Sequence, residues 1–160
     1  MKNHCILLVL AFLAILAGPA AAEDVRFTVQ FSPSRISWNP QYAYTTTEAQ
    51  IFTALYEGLV SYHPATLRPV PAAAEEWDIS EDGLRITFRL REDLTWSNGE
   101  DIVAADFRDS WLDLLAPSTG AEYASLLDDI VGAREYRTGE GTREDVGVSA
   151  VDRRTLAVSL

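Results

Sequence analysis

Trp77-Asp78-Ile79-Ser80-Glu81-Asp82-Gly83-Leu84-Arg85-Ile86-Thr87-Phe88-Arg89-Leu90-Arg91 is the stretch whose reading decides the fold. Leu84, Ile86, Phe88 and Leu90 alternate with Arg85, Thr87, Arg89 and Arg91, a period of two that an extended strand sorts onto opposite faces. Trp77 and Ile79 keep the same alternation on the other side of Glu81-Asp82-Gly83, and Gly83 can supply the positive φ of a tight turn. The stretch predicts a β-hairpin.

Downstream, Asn98-Gly99 after Trp96 is a second turn signal. From Ala104, the residues Phe107, Trp111, Leu114 and Leu115 fall on one face of a helix that Pro117 ends. Tyr123, Leu126, Leu127, Ile130 and Val131 predict another helix, closed by Gly132 and the loop Thr138-Gly139-Glu140-Gly141. Val146 and Val148, the turn Asp152-Arg153-Arg154, then Leu156, Val158 and Leu160 predict a further hairpin. A strand that reaches the last residue without turn or cap reads as an interrupted gene product. Trp77, Trp96 and Trp111 are expected as core anchors, since large aromatics dominate burial.

Upstream, the three prolines between His63-Pro64 and Pro71 predict an extended connector. Thr45 and Glu48 have capping-box spacing, and Ile51, Phe52, Leu55 and Leu59 recur at helical intervals, predicting a helix over about 46–57 with Gly58 as its stop. Gln41 to Tyr44 reads as a loop. Val25, Phe27, Val29 and Phe31 alternate with polar residues and predict a strand ended by Ser32-Pro33-Ser34.

The first residues have a different composition. Lys2, an apolar run from Cys5 to Ala17, Gly18-Pro19 and Ala20-Ala21-Ala22 have the layout of a secretory signal cut before Glu23. The run is shorter than the about 20 residues a membrane span needs, and Cys5 is not at the cleavage position, which disfavours a lipoprotein. Removing residues 1–22 takes away the only Lys, the only Cys and one of two His. What remains has His63, and 12 Arg against 24 acidic residues, so its formal charge is near −12. That excludes a basic nucleic-acid surface, a disulfide framework and a Cys nucleophile, and makes a His-rich zinc or haem site improbable.

In order along the chain, Ser37-Trp38-Asn39-Pro40, Leu55-Tyr56-Glu57-Gly58-Leu59, Pro71-Ala72-Ala73-Ala74-Glu75-Glu76-Trp77 and Asp82-Gly83-Leu84 are followed by Thr87-Phe88-Arg89-Leu90-Arg91. Trp96-Ser97-Asn98-Gly99, Ala105-Asp106-Phe107, Ser110-Trp111, Pro117, Tyr123-Ala124-Ser125 and the Gly147 to Leu160 hairpin complete the set. This ordered series resembles the extracytoplasmic solute-binding proteins of peptide-type ABC importers, the oligopeptide and dipeptide binders. The resemblance implies an α/β, periplasmic-binding-protein-like two-lobed fold with an extra domain. Only its N-terminal part is expected here, with mixed strands, hairpins and about three helices. It implies residues 23–56 as the first segment of lobe I, residues 57–160 as an incomplete inserted domain, and a second lobe that is absent. Asp113 stands where relatives commonly have a basic residue, which removes the basis for inferring a salt bridge there by analogy.

The function implied is capture of oligopeptides or dipeptides in the periplasm and delivery to an ABC permease and ATPase in the inner membrane, by a protein that is a monomer when full length. No cofactor and no metal are implied, and no covalent chemistry. The expected substrate-binding residues are Tyr44, Thr45 and Thr46, where an extended peptide could pair with main-chain groups, and Tyr123, whose ring and hydroxyl suit varied side chains. Thr45 is also a helix cap, and Tyr123 also falls on the apolar face of its expected helix. Other readings are the same scaffold binding a nickel chelate, haem or saccharide, a truncated product without binding activity, and a secreted hydrolase. For the last, Glu75-Glu76 and Asp128-Asp129 are adjacent pairs, which cannot flank a bond from one helix face or strand side. Asp78 to Gly83 faintly resembles a calcium loop but has no downstream Glu at the required spacing, and a hairpin turn explains it better.

Overall fold

The computed structural model describes Thr28, Gln30 and residues 36–160. The chain divides into two units, Met1–Phe31 and Ser32–Leu160; Thr28 and Gln30, in the first, are exposed. The expected export segment 1–22 lies outside the described residues, as does the strand expected over Val25–Phe31 apart from those two positions. Everything that follows belongs to the second unit.

Pro40–Tyr42 is a single 3-10 turn where the sequence suggested a loop, because the Asn39 side chain accepts from the Gln41 N–H at 3.0 Å and Pro40 presets the first helical φ. Helix α1, Thr46–Leu55, starts with the expected capping box: the Glu48 N–H donates to the Thr45 hydroxyl, and the Glu48 carboxylate accepts from the Thr45 N–H. It ends two residues earlier than expected. Tyr56 is extended, its N–H donating to the Phe52 carbonyl at 2.8 Å, and its ring tilts at 60° against Phe52, 5.8 Å between centroids. Gly58 is not in the left-handed region and does not stop the helix.

The stretch read as an extended connector is instead a two-stranded antiparallel ribbon, β1 (Val60–Tyr62) with β2 (Pro69–Pro71). The His63 N–H donates to the Arg68 carbonyl, and Leu67 takes a φ of 55° to close the turn. Proline lacks the amide a central strand would need but is tolerated at a ribbon edge, which is why three prolines did not forbid pairing.

Strands β3 (Ala74–Ile79), β4 (Arg85–Leu90), β5 (Val148–Ala150) and β6 (Thr155–Ser159) form an antiparallel sheet in the order β3-β4-β6-β5. Both predicted hairpins are there, with Trp77 opposite Phe88 and Val148 opposite Val158, and Gly83 turns at φ 73°. Helix α2, Ala104–Leu115, packs across β5 and β6. Its start is only half capped: the Val103 N–H donates to Asp106 at 2.8 Å, but a valine has no oxygen to return the bond. Leu90, Leu115 and Leu156 are completely buried, with Ala74, Ala104 and Ala133 between them.

The helix expected over 123–131 does not form. Ala124–Leu127 is a 3-10 turn, Leu126 and Val131 are exposed, and the helical segment here is α3, Ala133–Thr138, entered at Gly132 with φ 71°. The Val131 N–H donates to the Ser159 carbonyl and its carbonyl accepts from the Gly147 N–H, so this residue serves the sheet's edge instead of a helix. Of the three tryptophans expected as core anchors, Trp111 packs against the core from its margin, and Trp77 and Trp96 do not. Trp77 and Trp111 are half-buried and Trp96 is 41% exposed, while the centre is filled by Leu, Val and Ala.

Glu48 is buried, 1% exposed. Its Oε1 accepts from the Ser37 N–H at 2.8 Å; its Oε2 accepts from the Tyr44 and Thr45 N–H groups, both at 3.1 Å, and from the Thr45 hydroxyl at 2.9 Å. These bonds, those from Ser37 and Tyr44 above all, pull its pKa down from 4.5 to about 2, against the opposing effect of burial.

A depressed folded-state pKa means that the stabilisation is complete above the unfolded value of 4.5 and is lost as pH falls through about 2. The stability gap between the native protein and Glu48→Gln in urea unfolding should therefore be widest at neutral pH and shrink steadily below pH 4.5; a gap constant down to pH 2.5 would contradict the bonding described. A second expectation concerns Gly132. A Cβ there would run into the Asp145 carbonyl in addition to the strained φ, so Gly132→Ala should cost about 1–3 kcal/mol or more. Gly83→Ala, with open space around the same kind of φ, should cost only about 1–2 kcal/mol.

Candidate functional site

Three of the four predicted site residues are consecutive and sit where the chain enters α1. Tyr44 is 63% exposed, Thr46 is exposed, and Thr45 is half-buried because its hydroxyl is tied to Glu48. Tyr123 lies 79 residues further on, just before the 3-10 turn Ala124–Leu127, and is 54% exposed. The fold brings it to the same place: the Tyr123 hydroxyl lies 3.5 Å from the Tyr44 carbonyl oxygen. That is the long limit of a hydrogen bond, so the carbonyl remains a good acceptor for a closer donor.

The main chain of 44–46 offers less for pairing than a bare strand would. The Tyr44 and Thr45 N–H groups are taken by Glu48, and the Thr45 carbonyl accepts from the Ala49 N–H at 3.0 Å as the first bond of α1. The chemistry displayed outward is thus an acceptor, the Tyr44 carbonyl, flanked by two phenols and the Thr46 hydroxyl. Such a surface suits a ligand with N–H donors and a mixed apolar body. The loop-holding role of Glu48 is what the sequence reading missed; the capping-box spacing found the residue but not its bonds to Ser37 and Tyr44.

A separate cavity of about 730 Å³ opens between the end of α1, β1 and α2. Leu55, Tyr56, Leu59, Trp96, Phe107 and Trp111 are among its walls, and none of Tyr44, Thr45, Thr46 or Tyr123 lines it. Two of the tryptophans expected in the core therefore form walls of this groove. At its rim Arg91 is held by Glu57 at 2.8 Å and lies 3.1 Å from Asp93.

Three of the four acids in the adjacent pairs are held by arginines. Glu75 pairs with Arg89 at 3.1 Å and Arg154 at 2.9 Å, Glu76 with Arg89 at 3.4 Å, and Asp128 with Arg137 at 2.7 Å. The hydrogen bond from Arg137 is the first reason the Asp128 carboxyl titrates below its ordinary range. Asp113 forms its own salt bridge, at 2.6 Å to Arg143, which also reaches Asp109 at 3.4 Å. Among the described residues no group of His, Cys, Asp and Glu is placed to hold a metal ion, and the Asp78–Gly83 segment is the end of β3 and the hairpin turn that follows it. No helix of the described residues is long and apolar enough to cross a membrane.

Comparison with known proteins finds relatives of this chain. The dipeptide-binding protein DppE of Bacillus subtilis is 37% identical over 124 residues, which is 78% of this chain and 23% of the relative. The periplasmic oligopeptide-binding protein OppA of Escherichia coli is 37% identical over 146 residues, 90% of this chain and 26% of the relative. Among solved structures, the murein tripeptide binding protein MppA of Escherichia coli superposes with a TM-score of 0.74 at 34% identity, covering 78% of this chain and 24% of that one. Haemophilus influenzae OppA, in complex with the peptide RPPGFSPFR, gives a TM-score of 0.73 at 34% identity over 77% of this chain and 24% of that one. The chain thus spans about a quarter of the length of the relatives it matches. Its fold is the corresponding part of a periplasmic-binding-protein-like structure, as the ordered motifs implied. Residues 68–160 match the family described as bacterial extracellular solute-binding proteins, family 5 middle, and with more than half of its length inside that match the chain belongs to this family.

Proposed function

We propose that this chain is part of the solute-binding component of an ABC-type peptide importer, which captures oligopeptides or dipeptides in the periplasm and delivers them to a permease and ATPase complex in the inner membrane. The observation that carries the reading is the meeting of Tyr44 and Tyr123 across 79 residues of sequence, two exposed phenols around an open carbonyl acceptor. A peptide supplies what that arrangement lacks: backbone N–H donors and side chains of varied polarity.

In this reading residues 1–22 are a cleaved export signal, 23–56 begin the first lobe, and 57–160 belong to an inserted domain. Tyr44, Thr45, Thr46 and Tyr123 lie along one wall of a cleft. A second lobe closes over the ligand, so that binding shifts a hinge equilibrium toward the closed form that docks on the permease. The ligand leaves with its covalent bonds intact. The arginine pairing of Glu75, Glu76 and Asp128 supports this, since carboxylates held in ion pairs are poor partners for acid–base work.

The test is calorimetric titration of the complete gene product with di- to pentapeptides, and in parallel with a nickel chelate, haem and a short saccharide. Peptide binding is expected, with the peptide recovered uncleaved by mass spectrometry. Tyr123→Ala should weaken it about tenfold or more, the loss of one aromatic contact. Binding of the chelate, haem or saccharide with no response to any peptide would overturn the reading.

A further inference from the structure

We infer that Glu48 is a positioning residue for ligand capture: its buried carboxylate pins the Ser37 and Tyr44–Thr45 backbone, and so sets the Tyr44 carbonyl and ring against Tyr123. This rests on the peptide-binding reading above.

A capping box needs one bond from the N3 carboxylate, to the N-cap N–H. Glu48 makes that bond, to Thr45, and adds two that the helix does not require: from the Ser37 N–H at 2.8 Å, eleven residues upstream, and from the Tyr44 N–H at 3.1 Å. The extra bonds act on the loop. They join the Ser37 end of the 36–45 segment to its Tyr44 end through one side chain that is 1% exposed, where charge-assisted bonds are strongest. The result is a contrast within one residue. The Tyr44 amide is fastened on the inside, while 63% of the residue's surface, with its ring, faces out.

Fastening the loop before a ligand arrives removes an ordering cost that would otherwise be subtracted from affinity. It also fixes the direction in which the Tyr44 carbonyl points, 3.5 Å from the Tyr123 hydroxyl. An amide in place of the carboxylate cannot reproduce this. Whichever way Gln is turned, one of its two ends presents N–H to a backbone N–H, leaving buried donors unpaired.

The experiment compares three forms of the complete gene product: unsubstituted, Glu48→Gln, and Val158→Ala. Val158 is buried in the sheet and takes no part in the site, so its truncation reports what lost stability alone does to binding. Peptide affinity by calorimetry and amide hydrogen exchange at Ser37, Tyr44 and Thr45 are the two readouts. Glu48→Gln is expected to weaken peptide binding about tenfold and to accelerate exchange either at Ser37 or at Tyr44 and Thr45, according to which end of the amide faces them, while Val158→Ala leaves affinity within about twofold. Peptide bound equally well by Glu48→Gln, or weakened no more than in Val158→Ala, overturns the role of Glu48 and leaves the peptide reading standing. If the unsubstituted protein binds no peptide, it is the peptide reading that fails; exchange then decides the fastening of the loop alone, and protection unchanged at all of Ser37, Tyr44 and Thr45 in Glu48→Gln overturns it.

Discussion

The pairing of β4 with β6 is the constraint on which the rest depends. Phe88 lies opposite Leu156 and Ile86 opposite Val158, and Leu90 and Leu156 are both fully buried. Joining these strands closes a loop of some sixty residues, which costs roughly 4 kcal/mol of chain entropy beyond a constant. Burying two leucines returns about 3–6 kcal/mol, close to balance with that cost, and packing of the intervening chain adds to the return. Helix α2 lies on β5 and β6, α3 enters at Gly132, and Val131 bonds to Ser159 and Gly147; each is placed by that closure.

Charge acts on this frame in two ways that differ in strength. Most ion pairs are between half-exposed partners, Arg89 with Glu75 or Arg143 with Asp113, and contribute little individually because water and salt screen them. Arg154 is tied more closely, donating to the Leu90 carbonyl at 2.8 Å while pairing with Glu75 and Glu92, so it clasps the end of β4 to the turn before β6. Glu48 is a different case. Among the described residues no arginine pairs with it; it is a carboxylate held by backbone and hydroxyl donors, which is a way of shaping a loop more than of cementing a fold.

The strands of the sheet were readable because period-two alternation and Asp-Gly or Asp-Arg-Arg turns are local signals, and α1 and α2 were readable from capping spacing and a three-to-four-residue apolar rhythm. The segment 123–131 misled because its apolar residues sit at helical spacing for another reason. Ile130 is buried, whereas Val131 must spend both its backbone groups on the sheet edge, which a helix would have consumed. The proline-rich stretch 63–71 misled in the opposite sense, since proline excludes a helix but not an edge of a two-stranded ribbon. The tryptophans were assigned to the core by size, yet Trp96 and Trp111 line a groove, a distinction that size alone does not carry.

The sequence by itself determined the family, through an ordered series of turn, cap and aromatic motifs, and with it the scaffold on which a ligand would be held. It also singled out Tyr44 and Tyr123 as candidate binding residues; that both are exposed came from the structure. Only the tertiary structure decided that Tyr44 and Tyr123 meet, that the Tyr44 carbonyl is left open while its amide is fastened, and that Glu48 does the fastening. The reason is the range of the forces. Alternation, capping and turn chemistry act over a few residues and are written in order along the chain, whereas a contact across 79 residues exists only after the sheet has closed.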